Sequence, residues 1–232
     1  MTQSENPYRQ DVFLEDLRHQ KDRQKQRIWT EHQQMQLSFL QRRGLTSAST
    51  VLDIGCGPMR LGSVLIPLLN DGWYYGQDIN SSTIAFGEEV LREAGIPEHA
   101  PYTLFASDQF ELTAVDRPVH IAFANSVFSH LTLNSIFTAL LQLQTVLAPS
   151  GVLYATFFAL KPKHSWLKPH PRNKWGRKFE TYPHQDPYHY HLPMLKALAR
   201  QAGFRLDLIH DFGHPTQVMG RFRRLRRQRF FC

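Results

Sequence analysis

The chain has 232 residues, 42% of them hydrophobic, which fits one globular domain with a terminal extension and excludes a disordered chain. Two cysteines exclude a disulfide framework, the polar N-terminus lacks the apolar core of a secretory signal, and no apolar run is long enough for a membrane helix, so a cytoplasmic location is expected. The net charge of +7 is local: residues 161–178 hold seven cations and residues 221–229 six arginines, neither with an acid, so the remainder is net negative and the basic blocks favour anionic partners.

In chain order, residues 11–43 come first, dense in Gln, Arg and Lys, with a broken apolar stripe of Phe13, Leu17, Ile28, Met35, Phe39 and Leu40. They read as one or two surface helices ending at Gly44, a plausible C-cap. This extension, residues 1–43, either covers a ligand site or simply packs on the sheet edge. Next stands Val51-Leu52-Asp53-Ile54-Gly55-Cys56-Gly57-Pro58: an apolar strand, an acid, a two-glycine turn and a proline placed to open a helix. Glycines admit a ligand where a Cβ would collide, and a helix start offers unpaired N–H groups. A second strand over 73–77 runs into Asp78, whose carboxylate can accept from two ribose hydroxyls. Leu61, Val64, Leu65, Leu68 and Leu69 recur at helical spacing, but Pro67 falls inside the pattern, so that helix should kink or end early.

Asn80-Ser81-Ser82 caps a helix that runs to Gly95. Strands are expected over 102–106 and 120–124, then a long helix capped by Thr132. Pro149-Ser150-Gly151 should turn the chain into a fifth strand over 151–158. A helix over 193–202 precedes two last strands, 204–210 and 217–223, whose short link predicts an antiparallel pair. Alternating strands and helices specify an α/β fold, a mostly parallel sheet with helices on both faces.

A dinucleotide-binding turn reads Gly-x-Gly-x-x-Gly/Ala, whereas the sixth position here is Arg60. Asp53 is also a poor neighbour for a pyrophosphate and a reasonable one for a cationic ligand. With this set the chain resembles the class I S-adenosylmethionine-dependent methyltransferases. Residues 51–57 match their first motif, Asp78 the ribose acid, Ser107-Asp108 the adenine-contacting acid, and residues 125–131, Asn-Ser-Val-Phe-Ser-His-Leu, the segment after the fourth strand. The resemblance covers about residues 44–223 and departs at Met59, where the family often has a third glycine; Gly62 is expected to supply the close packing instead.

The resemblance implies a three-layer α/β/α Rossmann-like methyltransferase sheet of seven strands with an antiparallel last strand, in a domain over 44–232, and S-adenosylmethionine as methyl donor. Asp53 would face the methionine ammonium, and Gly55, Cys56 and Gly57 would line the methionine end by backbone. Arg60 would pair with the methionine carboxylate, or remain solvated. Asp78 would take the ribose, with Ile79 against the adenine. Asp108 would accept from the adenine amino group, flanked by Gln109, and Asn125 would approach the methionine group through its carbonyl.

Residues 159–192 exceed a minimal domain. They interleave Trp166, Trp175, Phe179, Tyr182, Tyr188 and Tyr190 with five histidines and five prolines. A structureless connection of this length is usually functional, and its aromatics disfavour disorder. It leaves a parallel strand at the ligand-binding edge of the sheet, so it reads as a lid-like insertion whose cations attract an acidic acceptor, or else as a solvated surface loop. No zinc pattern is formed by the histidines and neither cysteine is near, so no metal is expected.

For an oxygen or nitrogen acceptor a general base helps. His130, just after the fourth strand, is the first candidate; orienting the loop or capping the following helix are its alternatives. His189, reaching from the insertion, is the second. The expected activity is methyl transfer to an O or N atom of a small or medium, acidic acceptor. A nucleic-acid methyltransferase is the main alternative, favoured by the basic tail 221–232 with its interleaved Phe222, Phe230 and Phe231. Against it, residues 125–131 lack the Asn/Asp-Pro-Pro-aromatic signature of base N-methyltransferases, and no separate RNA-binding module is present. A non-catalytic cofactor-binding partner is a third reading. Acceptor identity and oligomeric state are left open by the sequence.

Overall fold

The computed structural model describes residues 23–174 and 177–225. Phe13 and Leu17 of the expected N-terminal stripe, Trp175 of the insertion and the tail from Arg226 onward lie outside them. The chain divides into two compact units, Met1–Phe123 and Ala124–Cys232.

The first unit contains α1 (Arg23–Arg42), β1 (Thr50–Ile54), α2 (Gly62–Leu65), a 3-10 turn (Ile66–Leu68), β2 (Trp73–Asp78), α3 (Ser81–Glu93), β3 (Tyr102–Ala106) and nearly all of β4 (Val119–Ala124). β1 lies between β2 and β4, β3 flanks β2, and all four run parallel. Every residue of β1 is buried, as a central parallel strand covered on both faces requires.

α1 ends in a Schellman motif, with Leu45 N–H to Leu40 C=O at 3.0 Å, Gly44 N–H to Gln41 C=O at 3.2 Å, and Gly44 at φ +90°. Leu37, Phe39 and Leu40 give it a buried face, and Phe39 lies 6.4 Å from Phe123 between ring centres. From the same helix, the Gln33 amide donates to Arg60 C=O at 2.8 Å and to Ser63 Oγ at 3.0 Å. The helix therefore lies against the segment that follows the glycine turn.

That segment departs from expectation. No helix opens at Pro58; α2 begins at Gly62 and lasts four residues. Gly57 at φ +56° and Met59 at φ +59° are both left-handed, which no right-handed helix accommodates. Pro67 then confines the continuation to a 3-10 turn. Gly62 supplies the close packing, since a Cβ there would stand 3.0 Å from Tyr74 Oη and 3.1 Å from Met59 Sδ. α3 starts where expected, with Asn80 Oδ1 accepting from Ser82 N–H at 2.8 Å.

The second unit contains a 3-10 turn (Phe128–His130), α4 (Leu133–Val146), β5 (Leu147–Leu160), β6 (His170–Lys174), β7 (Arg177–Thr181), β8 (His189–His191), α5 (Leu192–Gln201), β9 (Phe204–Ile209) and β10 (Val218–Arg224). Thr132 caps α4 by accepting from Ser135 N–H at 3.1 Å. No turn separates α4 from β5, because the strand already begins at Leu147. Pro149 is exposed, and β10 pairs only with Val152–Phe157, so that ladder never needs the missing N–H. β10 runs antiparallel to both β5 and β9. Taken together, β1–β5, β9 and β10 make a mostly parallel sheet of seven strands with β10 antiparallel.

Two features correct the expected organisation. Residues 159–192 are not structureless: β6 and β7 form an antiparallel hairpin, and β8 pairs parallel with the end of β5. The basic stretch from Arg221 does not begin a tail, because Arg221–Arg224 belong to β10. Arg221 and Arg223 share Asp207 with Arg205, and Arg224 donates to Gln144 C=O.

Phe222 is fully buried and meets Phe128 edge-on at 5.8 Å. Phe222→Ala should therefore cost about 3–5 kcal/mol in urea unfolding. A loss below ~1 kcal/mol would show that the β9–β10 pair repacks without the ring.

Candidate active site

In the first unit the glycine turn leaves the end of β1 and is held by the end of β2. Cys56 N–H donates to Gln77 C=O at 2.9 Å, and Gly57 N–H to Asp78 Oδ2 at 3.0 Å. The other Asp78 oxygen accepts from Asn80 N–H at 3.1 Å. Gly55 and Gly57 sit at φ +65° and +56°, and open space lies where a Cβ on Gly57 would stand. Burial raises the Asp78 carboxyl, while the N–H groups of Asn80, Gly57 and Ile79 oppose that shift.

Asp53 is buried and accepts from Tyr74 Oη at 2.7 Å. Burial pushes its carboxyl up to about 7; the Tyr74 hydrogen bond opposes this, Asp78 adds to it, and Arg60 opposes it. Tyr74 carries no sequence signal beyond its place in an apolar strand. Cys56 is buried, and its thiol is raised by burial and by the two acids.

Arg60 is not solvated, and it stands just before α2 rather than inside a helix. Its guanidinium lies 4.6 Å from the Trp29 ring centre, Nη1 is 3.5 Å from His32 Nδ1, and Nε is buried without a hydrogen-bond partner. Burial lowers its pKa and Asp53 opposes the change. Ile79 is half-buried, whereas Asp108 and Gln109 are exposed just beyond β3. Ser107 joins these strand ends: its N–H donates to Asp78 C=O at 2.9 Å, and its carbonyl accepts from the Gln77 amide at 2.6 Å.

In the second unit Asn125 follows β4, with its side-chain Oδ1 buried and unpartnered. His130 closes the 3-10 turn, and its Nδ1 lies 2.5 Å from Asp186 Oδ1, both side chains about three-quarters buried at 23% and 24% exposure. Asp186 lies 56 residues away in sequence, a separation that no local pattern reveals.

The insertion docks beside this turn. Tyr188 N–H donates to Ser129 C=O at 2.7 Å, and Tyr190 Oη donates to Phe128 C=O at 3.1 Å and to Leu131 C=O. His189 is fully buried and uses both ring nitrogens inside the insertion, Nδ1 with Thr181 Oγ1 at 3.0 Å and Nε2 with Trp166 C=O at 2.9 Å. Burial lowers its pKa and favours the neutral ring. His189 thus does not reach out of the insertion; it holds the insertion together. Among the described residues no group of three or more His, Cys, Asp or Glu side chains is placed to hold a metal ion. Nor is any described helix long and apolar enough to cross a membrane.

Residues 52–153 match the family model described as a methyltransferase domain. The fold is similar to magnesium protoporphyrin IX methyltransferase from Synechocystis PCC 6803 with bound SAH, at 16% identity over 94% of this chain and 96% of that one, with a TM-score of 0.62. It is also similar to a S-adenosylmethionine-dependent methyltransferase from Clostridium acetobutylicum ATCC 824, at 10% identity over 93% and 97% of the two chains, with a TM-score of 0.63. The DhpI–SAH complex is a further likeness, at 16% identity over 95% and 94%, with a TM-score of 0.61. The sheet is the Rossmann-like methyltransferase sheet that the strand order describes. The family match lies within residues 52–153 and the likeness in fold extends over most of the chain, so the chain resembles the class I S-adenosylmethionine-dependent methyltransferases in both.

Proposed function

We propose that the protein transfers a methyl group from S-adenosylmethionine to an oxygen or nitrogen atom of a small or medium, anionic acceptor. The observation that carries this reading is that one chain holds both an acid-lined glycine turn at the end of β1 and a cation-bearing insertion after β5.

The residues at the strand ends fit the methyl donor. Gly55, Cys56 and Gly57 offer backbone to its methionine end, and the space over Gly57 admits it. Asp53 faces the ammonium. Arg60, with its buried unpartnered Nε, receives the carboxylate. Asp78 takes the ribose and Ile79 borders the adenine, with Asp108 and Gln109 at its amino edge. Asn125 approaches the methionine group through its carbonyl. When bound, the donor supplies a methyl carbon activated by its sulfonium.

Asp53 gives this assignment a pH signature. Its carboxyl titrates at about 7 in the free protein, so below that value a ligand ammonium must first displace a proton. Affinity for S-adenosylhomocysteine should fall by up to about tenfold per pH unit below 7 and level off above it, and Asp53→Asn should flatten the profile. Calorimetry showing the same slope in the variant would remove Asp53 from the site.

The acceptor atom forms its new bond to the methyl carbon as the carbon–sulfur bond breaks, and its proton passes to a base. His130 is the group we assign, with Asp186 orienting the ring. With labelled methyl donor, His130→Ala should lower kcat about 10²-fold or more. Asp186→Asn, which keeps the side-chain shape, should lower it less. A loss under threefold in His130→Ala would take the pair out of the chemistry.

Charge selects the acceptor. Lys161, Lys163, Lys168 and Lys178 are exposed on the insertion, and no acid accompanies them within residues 161–178. Arg172 is instead spent on the Phe158 ring, at 5.2 Å, and on Ala159 C=O. Nucleic acid is the weaker reading, since Arg221 and Arg223 are engaged by Asp207. Changing Lys161, Lys163 and Lys168 together to Glu should raise KM for an acidic acceptor about tenfold at low salt, with a much smaller effect at 0.5 M salt. A KM unchanged at low salt would show that these cations do not select the acceptor.

A further inference from the structure

Resting on the methyltransferase reading, we propose that Gln217 and the serines of the turn after β4 form a hydroxyl-recognising site, and that the acceptor is a polyhydroxylated, sugar-like acid. Gln217 precedes β10, whose Val218 pairs with Phe157 near the C-terminal end of β5. Ser126 and Ser129 follow the C-terminal end of β4. The cluster therefore stands on the rim where open α/β sheets receive ligands.

Its hydrogen bonding is incomplete in a particular way. Gln217 is only 8% exposed; its Nε2 donates to Ser126 Oγ and Ser129 Oγ, each at 3.3 Å, while its Oε1 is buried without a partner. Asn125 Oδ1 and Thr216 Oγ1, each next in sequence to a member of the cluster, are likewise buried and unpartnered. A buried, unsatisfied amide or hydroxyl costs roughly 1–3 kcal/mol, so three such groups in the cluster or next in sequence to its members are not what packing alone selects.

The surroundings are fixed in advance. Ser126 is held at φ +60° with its N–H donating to Thr156 Oγ1 at 2.7 Å. His214 Nδ1 accepts from the N–H groups of Gln217, at 2.9 Å, and Thr216, at 3.2 Å, so the ring proton sits on Nε2, which lies 3.4 Å from Ser126 Oγ. The cluster offers neutral donors and acceptors and no charge. A hydroxyl both donates and accepts, so it satisfies such groups whichever way the Gln217 amide is turned. An acceptor with too few hydroxyls, or with hydroxyls confined to the plane of one aromatic ring, would leave some of them unpaired, the situation in which a site rejects an analogue most strongly.

The test uses the full-length protein, labelled S-adenosylmethionine, and three probes: glucuronic acid, its methyl glycoside and caffeic acid, a flat phenolic acid. Transfer to the uronic acids, in preference to caffeic acid, is expected. Gln217→Met, close in shape and without the amide, should raise KM for the uronic acid at least tenfold and leave S-adenosylhomocysteine affinity within twofold by calorimetry. Should that variant fail to fold, monodeoxy analogues of the uronic acid are measured on the unaltered protein, and at least one should lose tenfold or more in kcat/KM. Transfer to caffeic acid but to neither uronic acid, or to none of the probes, overturns the proposal while the methyl-donor reading stands. A Gln217→Met KM within twofold of the unaltered protein, or equal rates for every deoxy analogue, also overturns it. An unaltered protein that binds no S-adenosylhomocysteine overturns the underlying reading instead, and the proposal with it.

Discussion

One carboxylate ties the glycine turn to the helix that follows β2. Asp78 stands at the end of β2 and accepts from Gly57 N–H on one oxygen and Asn80 N–H on the other. The first bond fixes the left-handed turn after β1, and the second fixes the start of α3. Nearby, Gly62 packs closely against Tyr74, and Tyr74 in turn donates to Asp53. The two acids are thus positioned by opposite means. Asp78 is pinned by backbone donors and Asp53 by a phenol in a dry environment, which is why Asp53 titrates so much higher than an ordinary carboxylate. A site that must bind a cation gains from such an acid, since its burial penalty is relieved when the ligand arrives.

Charge is divided along the chain in a way that suits two ligands of opposite sign. The excess of acids lies outside the basic blocks, and two of those acids are the buried carboxylates of the glycine turn. The exposed lysines lie in the insertion. The arginines of β10 look similar in sequence but differ in kind. Asp207 is raised by burial, yet Arg223 and Arg205 outweigh that and hold its carboxyl below the usual range. Surface pairs of this sort are individually weak. Here they serve to neutralise a cross-strand row of arginines, whereas the exposed lysines of the insertion have no acid beside them within residues 161–178.

How much of this was legible in the sequence depended on range. Local signals carried well: the Asn80 and Thr132 caps, the left-handed Gly44, the strand at Tyr102–Ala106 and the antiparallel pair at the end all follow from residues within a few positions of one another. The Pro58 helix start failed because Met59 adopts a left-handed conformation that propensity disfavours and only packing against Gly62 and Gly87 explains. The turn at Pro149 failed because a proline in a strand is a breaker only where its N–H is needed. The partners of the candidate site residues were hidden for a plainer reason. Asp186 for His130 and Gln217 for Ser126 are 56 and 91 residues away, and only the completed sheet brings each pair together.

The insertion is better understood as a wall than as a flap. A flap needs a hinge and a docking surface that releases. Here β8 is hydrogen-bonded along the end of β5, Tyr188 and Tyr190 are tied to carbonyls of the turn after β4, and His189 is sealed between Thr181 and Trp166. Freeing the segment would expose a neutral imidazole and several backbone donors at once, which makes opening costly on the timescale of turnover. The bend that leads into β8 also carries Asp186 to His130, so the contacts that anchor the segment fix the geometry of this pair as well.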